Sequence, residues 1–317
     1  MTMSTSELHR VRPRTLLLMV GFGAVLLWSY WPTLGEMVGR WIEDPRYSHG
    51  FLVPAFALFL LWYRREDAAR LELGIHGWGA VLIAAGIVLQ LAGAFIHLEW
   101  VEMASLLPTL AGLFVLLGGW PALKWSWPAI AFLFFMIPLP FAVENAVGQP
   151  LQRIATLSST FALQTLGLSA IAEGNTIAMD HARVGVVEAC NGLGMLFMFF
   201  AFSVAVALLI DRPLVDRLLI VAGAIPTALL ANILRITITG LLHETVGSEA
   251  ANMVYHDLAG WLMMPLALAF LWIEIVLLSH LFVTPPPPQT VPSALDLIRT
   301  SAGHPLKKGA GTTNADH

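Results

Sequence analysis

Charge and cysteine are what this sequence has least of. Only 12% of its 317 residues are Asp, Glu, Lys or Arg, about half the ~25% of a soluble domain, so a water-facing surface could not be covered. The single cysteine, Cys190, excludes a disulfide framework. Ten histidines set against that one cysteine argue against a thiolate metal site, and no metal or cofactor is expected. A formal charge of −4 supplies no basic field, which removes nucleic acid from the partners to consider.

What is plentiful is apolar: 57% of the chain. The composition is that of an integral membrane protein, with lipid as its surroundings, and the expected fold is all-α. A membrane span needs about 20 mostly apolar residues. Eight runs are read as transmembrane helices: Thr15–Trp31, Gly50–Tyr63, Gly77–His97, Met103–Gly119, Trp127–Phe141, Gly192–Ile210, Leu218–Leu242 and Leu258–Phe282. The first follows Arg10, Arg12 and Arg14 and is too long and too Trp-capped for a cleaved signal peptide, so it reads as an anchor. With the N-terminus inside, 12 of the 17 basic residues fall on the cytoplasmic side and four, Arg40, Arg46, Arg153 and Arg183, on the outer side. Both termini are therefore expected in the cytoplasm.

Two segments on the outer side do not read as spans. Val143–Ala189 begins with apolar and hydroxyl residues at helical spacing, as in an interfacial helix. Its second part alternates Ile177, Met179, Val184 and Val186 around a polar turn, predicting a short β-hairpin that leads to Cys190 at the head of the sixth span. His243–Asp257 reads as a polar loop. The chain divides into a membrane domain, 1–283, and a disordered cytoplasmic tail, 284–317, opened by four consecutive prolines.

This topology brings three chemical groups to one membrane depth. Cys190 opens the sixth span, Arg235 lies near the outer end of the seventh, and His256 stands at the outer start of the eighth. The 45 residues from Cys190 to Arg235 match two spans and a turn. Each residue also has a plainer reading. A lone membrane cysteine is commonly a packing residue, an arginine can snorkel to the interface, and interfacial histidines are common. Against these readings, Asn191 and Gly192 place Cys190 where a helix begins, and helix-end N–H groups stabilise a thiolate. Arg235 sits among apolar residues, where a cation costs roughly 2.5 kcal/mol or more at mid-span. A thiolate, an imidazole and a fixed cation are the parts of nucleophilic acyl transfer. Two further residues are weaker candidates. His49, with Tyr47 and Ser48, is placed at the outer mouth of the second span, for substrate contact or as an interfacial anchor. Asn232 shares a helix face with Arg235 at spacing i to i+3, and either orients the guanidinium or bonds another helix.

The segments VVEACNGLGML, NILRITITG and HDLAGWLMM, with YSHGFLVP early and FLFFMIPLP before the outer insert, resemble the exosortase branch of the exosortase and archaeosortase family. The resemblance runs from Tyr47 to Met264 with the motifs in the family's order. It implies a multi-pass cysteine transpeptidase of the bacterial inner membrane, active on its outer side, with Cys190, Arg235 and His256 as catalytic residues. Its substrates would be exported proteins with a C-terminal tail of three parts: a Pro-Glu-Pro type motif, a transmembrane helix and a basic cluster. Cleavage would leave an acyl-enzyme thioester, resolved onto an envelope or exopolysaccharide acceptor. Simple proteolysis passes through the same thioester. A reading from another class is a transporter, or a non-catalytic subunit of a polysaccharide export system, with Arg235 lining a path. The outer insert has no counterpart in the first half of the chain, which goes against the repeat symmetry of transporters. No Gly-x-Ser-x-Gly motif is present for a serine mechanism.

Overall fold

Proline and glycine set where the helices of this chain begin, bend and pack. The structure, a computed structural model, describes residues 13–69, 71, 74–186, 192–247, 269, 270, 272, 273 and 276. Helix α1 (Pro13–Ser29) gives way to α2 (Trp31–Glu43), whose first turn holds Pro32, where a missing N–H is no loss. α2 buries Thr33, Met37 and Trp41 along one face, four residues apart. The segment between the first two expected spans is therefore largely helical. Asp44 ends α2 and caps a 3-10 helix, Pro45–Phe51, by accepting the Arg46 backbone N–H at 3.0 Å. Then come α3 (Leu52–Tyr63) and the single turn α4 (Arg65–Ala68).

Helix α5 (Gly77–Ile96) continues through α6 (Glu99–Ala104) into α7 (Leu106–Phe132). Gly79, Gly86 and Gly93, one every seven residues, approach Leu116, Thr109 and Glu102 in turn, so α5 and the first arm of α7 pack antiparallel with backbones in close contact. A Cβ at Gly86 would fall 2.0 Å from Thr109 Oγ1. Gly86→Ala is accordingly expected to lower stability by about 1–3 kcal/mol. Gly39→Ala on α2, where a Cβ meets nothing within 4 Å, serves as the control and should raise stability by roughly 0.5–1 kcal/mol, the helix preference of alanine over glycine. Reversible unfolding in mixed micelles measures both.

Gly118 and Gly119 break α7 into two arms. Gly119 adopts φ +67°, ψ −165°, a conformation open to glycine alone. The rings of Phe114 and Trp125 stand 5.9 Å apart, whereas eleven residues of straight helix would separate them by ~16 Å. The second arm thus folds back and lies along α3, where Arg64 Nη1 donates to the Trp125 carbonyl at 2.6 Å and Trp125 Nε1 donates to the Arg64 carbonyl at 2.8 Å. The runs expected as the fourth and fifth spans are these two arms of one element.

A 3-10 turn, Leu133–Met136, leads to α8 (Phe141–Thr165) and then to a three-stranded antiparallel sheet: β1 (Ala170–Glu173), β2 (Thr176–Met179) and β3 (Arg183–Gly185). β2 and β3 pair Ile177 with Val184, and β1 adds the pair Ala170 with Met179. The segment expected as a two-stranded hairpin therefore carries a third strand. β1 escaped notice because Ala170, Ala172 and Glu173 lack the β-branched signature of a strand. Helices α9 (Leu193–Leu209) and α10 (Leu214–Thr245) complete the described part.

Three helical runs are long and apolar enough to cross a membrane: Gly77–Ile96, Glu99–Met136, which takes in α6 and both arms of α7, and Leu214–Thr245. Val20–Ser29 and Leu193–Leu209 are apolar but shorter. This differs from the eight expected spans. The second of those is α3, whose 12 residues reach only ~18 Å against a ~30 Å hydrocarbon core. The expected eighth span lies almost wholly outside the described residues, as does the tail from residue 284.

Candidate active site

The start of α9 is held on two sides. Gly192, its N-cap, has φ +86° and presses against Asn232 of α10, so that a Cβ there would lie 3.0 Å from the Asn232 Nδ2. Gly194, two residues on, presses against Arg46, whose Cα would be 2.9 Å from an added Cβ. Bulk at either position would push α9 away from α10 or from the 3-10 helix.

On α10, Asn232 is fully buried, and its Oδ1 accepts a hydrogen bond from Arg235 Nη2 at 3.0 Å. The pair is one helical turn apart, which fixes the guanidinium against the axis of α10 rather than leaving it to reach along the helix. α8 braces this turn from another side, where Ser159 Oγ donates to the Ile233 carbonyl at 3.2 Å, and it packs further along α10 through Leu163 against Gly240. Val186, which follows β3, is 2% exposed and shares a buried cluster with Ile236 of α10, Ala155 and Leu163 of α8, and Ile177 of β2. The Val186 carbonyl accepts from Gln152 Nε2. Val186 and Gly192, the described residues that flank 187–191, are therefore both packed with the Asn232–Ile236 turn that carries Arg235.

A second group of charges faces the same helix start from the 3-10 helix. Arg46 Nε donates to both oxygens of Asp44, at 3.0 and 2.9 Å, and Nη2 donates at 2.6 Å. Its Nη1 stands 3.6 Å from Glu144 of α8. The Tyr47 hydroxyl donates to Glu144 Oε1 and accepts the Leu139 N–H at 3.2 Å. The Asp44 hydrogen bond raises the Arg46 pKa further, and burial and then the bond to Glu144 raise that of Tyr47, so the arginine is charged and the phenol neutral. This network ties the 3-10 helix, the linker before α8 and α8 itself to the first turn of α9. Sequence reading noticed Tyr47 but passed over Arg46, Asp44 and Glu144. The signal for two of them was local: Asp-Pro-Arg is a cap with its own counter-ion.

His49 is buried, 3% exposed. Its Nε2 lies 3.1 Å from the Phe135 carbonyl and its ring 5.7 Å from that of Phe197 on α9. It pins the 3-10 helix to the turn after α7. Burial lowers its pKa from the usual 6.5 to about 4, against the opposing effect of its backbone hydrogen bonds. Between those two values an unfolded chain takes up a proton that the folded one refuses, so stability falls as pH falls. From pH 7 to 4.5 this amounts to about 2–3 kcal/mol. His49→Gln is expected to flatten that part of the stability–pH curve. Below His49, an apolar cavity of about 370 Å3 runs between α3, α7 and α9, with Val53, Met198, Ala201 and Ala205 on its walls.

The model of the transmembrane exosortase family (Exosortase_EpsH) matches residues 41–273. The chain belongs to that family. The match spans the 3-10 helix, both flanks of residues 187–191 and all of α10. No curated protein and no solved structure matches the chain. Exosortases are membrane proteins that process the sorting signals of exported proteins, and the long apolar helices agree with that setting. Of the residues singled out in the sequence, Arg235, Asn232 and His49 are placed as given above. Cys190 and His256 lie outside the described residues, as does Asn191. Among the described residues no group of His, Cys, Asp and Glu is arranged to hold a metal ion.

Proposed function

We propose that this chain is a cysteine transpeptidase in which Cys190 attacks the peptide carbonyl of a sorting signal, Arg235 stabilises the developing negative charge, and His256 moves the proton. One observation carries the reading: Arg235, held by Asn232, stands on the α10 turn against which Gly192 is packed. Cys190 is two residues before Gly192, and two residues of chain reach at most ~7 Å. On this reading the thiol works beside that cation and just ahead of α9, whose first N–H groups have no intrahelical partners. Both effects favour thiolate over thiol. Arg suits the fixed role because it stays charged at any working pH.

Acyl transfer then proceeds in two balanced steps. The Cys190 sulfur bonds to the carbonyl carbon, the C–N bond breaks, and His256 delivers the proton to the departing amine. A nucleophile on the acceptor next attacks the thioester, gives its proton to His256, and releases the thiolate. The substrates are exported proteins bearing a Pro-Glu-Pro type motif, a transmembrane helix and a basic cluster, and the acceptor belongs to the envelope or to an exopolysaccharide. The apolar cavity along α9 suits the apolar part of such a tail.

The site faces the periplasm of the inner membrane, and the termini face the cytoplasm. In support, Arg64, Arg65, Lys124, Arg212 and Arg217 collect at the end of the helices opposite the start of α9, as the positive-inside rule requires of a cytoplasmic face. The reaction is tested by mass spectrometry of a processed substrate. A new C-terminus carrying an added mass is expected, and hydroxylamine should convert the trapped thioester to a hydroxamate. A free carboxylate in the presence of acceptor-containing membranes would reduce the activity to hydrolysis. A processed product that never forms a hydroxylamine-sensitive adduct would overturn covalent catalysis.

A further inference from the structure

At the end of the molecule away from the proposed active site, a pocket of about 590 Å3 opens where the end of α3, α4, the second arm of α7, the end of α9 and the first turn of α10 meet. Its volume lies within the roughly 300–1,000 Å3 typical of small-molecule sites. Two guanidiniums, Arg64 and Arg217, and two carboxylates, Glu66 and Asp67, line it together with Trp127, Leu60 and Leu208. We propose that this pocket binds one membrane phospholipid with a zwitterionic, primary-ammonium headgroup, of the phosphatidylethanolamine type.

The two arginines are oriented but not saturated. Arg64 Nη1 is fixed on the Trp125 carbonyl at 2.6 Å, and Arg217 Nε on the Arg212 carbonyl at 2.9 Å. Their nearest carboxylates, Asp67 and Asp211, stand 4.0 and 3.9 Å away, beyond hydrogen-bond length. Each guanidinium has five N–H donors in a rigid fork, so both retain donors suited to a phosphate. Glu66 and Asp67 are exposed, the Asp67 side chain 62% so, and accept from an ammonium at the pocket's outer edge. Trp127 offers an indole at the same level, the residue type that favours the headgroup zone. Leu60 and Leu208 give the glycerol and first acyl carbons an apolar wall.

Depth and charge balance choose the occupant. The pocket adjoins the first turn of α10, the start of a run long enough to cross a bilayer, so it stands at headgroup level. Two cations and two anions reject both an anionic headgroup, which meets the carboxylates, and a purely basic peptide, which meets the guanidiniums. A zwitterion with phosphate and ammonium a few bonds apart satisfies both. A primary ammonium donates three hydrogen bonds to the carboxylates, and a choline donates none.

The test is native mass spectrometry of the full-length protein released from nanodiscs holding equal phosphatidylethanolamine, phosphatidylcholine and phosphatidylglycerol. One phosphatidylethanolamine is expected to stay bound, favoured about tenfold over either competitor. Arg64→Gln with Arg217→Gln should lose it. Because those arginines also make structural bonds, Glu66→Gln with Asp67→Asn supplies an exposed second variant, expected to bring the ethanolamine and choline lipids to parity and to raise the glycerol lipid. Equal retention of the three lipids by the wild type, retention of none, or unchanged selectivity in the Glu66 and Asp67 variant would each overturn the proposal. So would glycerophosphoethanolamine binding as tightly as the lipid, which would show a soluble headgroup to be sufficient, or a Lys- and Arg-rich peptide displacing the lipid, which would assign the pocket to a basic protein segment.

Discussion

Cys190→Ala is expected to yield a protein that folds, inserts and processes no substrate. Removing the nucleophile of a covalent mechanism lowers kcat by roughly four to six orders of magnitude, because the remaining groups of such a site act only through it. Alanine differs from cysteine by a single sulfur atom, so abundance and proteolytic resistance should match the wild type. Cys190→Ser is the sharper control. A serine hydroxyl has the shape but not the acidity of the thiol, and no thiolate forms near neutral pH. It should be as inactive as the alanine variant. Since the chain holds one cysteine, alkylation with a membrane-impermeant maleimide adds two measurements on the wild type. It reports whether Cys190 faces outward, and its pH dependence gives the thiol's acidity. Processing by Cys190→Ala at the wild-type rate in cells co-expressing a tailed substrate would end the cysteine mechanism.

What could be read from the residues, and what could not, divides along the range of the interactions involved. Apolar run length found α5 within a residue or two, because a helix in lipid must satisfy its own backbone and needs only length and composition. The same rule misjudged α3 and α7. Whether 12 apolar residues span a membrane, and whether Gly118–Gly119 ends one helix or folds it back, depends on partners far away in sequence, namely Trp125 on Arg64 and Trp125 beside Phe114. The seven-residue glycine row of α5 was visible, but its meaning required Leu116, Thr109 and Glu102 to be set against it. At the site, Asn232 and Arg235 are one turn apart on one helix, so spacing alone placed them together. Arg46, Asp44 and Glu144 went unread for the opposite reason. Arg46 was one more outer cation until α8, almost a hundred residues on, supplied Glu144 to face it. Short-range periodicity encodes pairs on one helix, and clusters assembled from three elements have no such signature.

Arg235→Lys separates a working cation from a tolerated one. A snorkelling arginine keeps its place by extending to the interface, and lysine, with a long flexible stem and a compact charge, snorkels equally well. On that reading the substitution costs nothing. The geometry requires more: Arg235 Nη2 is tied to the buried Asn232 Oδ1 at 3.0 Å, which orients a planar fork that lysine does not possess. Losing an oriented charge that stabilises an oxyanion costs ~10²–10³ in kcat, so Arg235→Lys should fall in that range with KM little changed, and Arg235→Gln lower still. Asn232→Ala keeps the charge and loses its orientation, so it should fall between Arg235→Lys and the wild type. The pH dependence of Cys190 alkylation then assigns the charge its partner. If Arg235 holds the thiolate in the resting enzyme, the thiol's pKa rises in Arg235→Gln and alkylation at neutral pH slows. If it acts on the oxyanion alone, the alkylation profile stays where it was while kcat collapses. Full activity in Arg235→Lys would leave the arginine as an anchor and remove it from the chemistry.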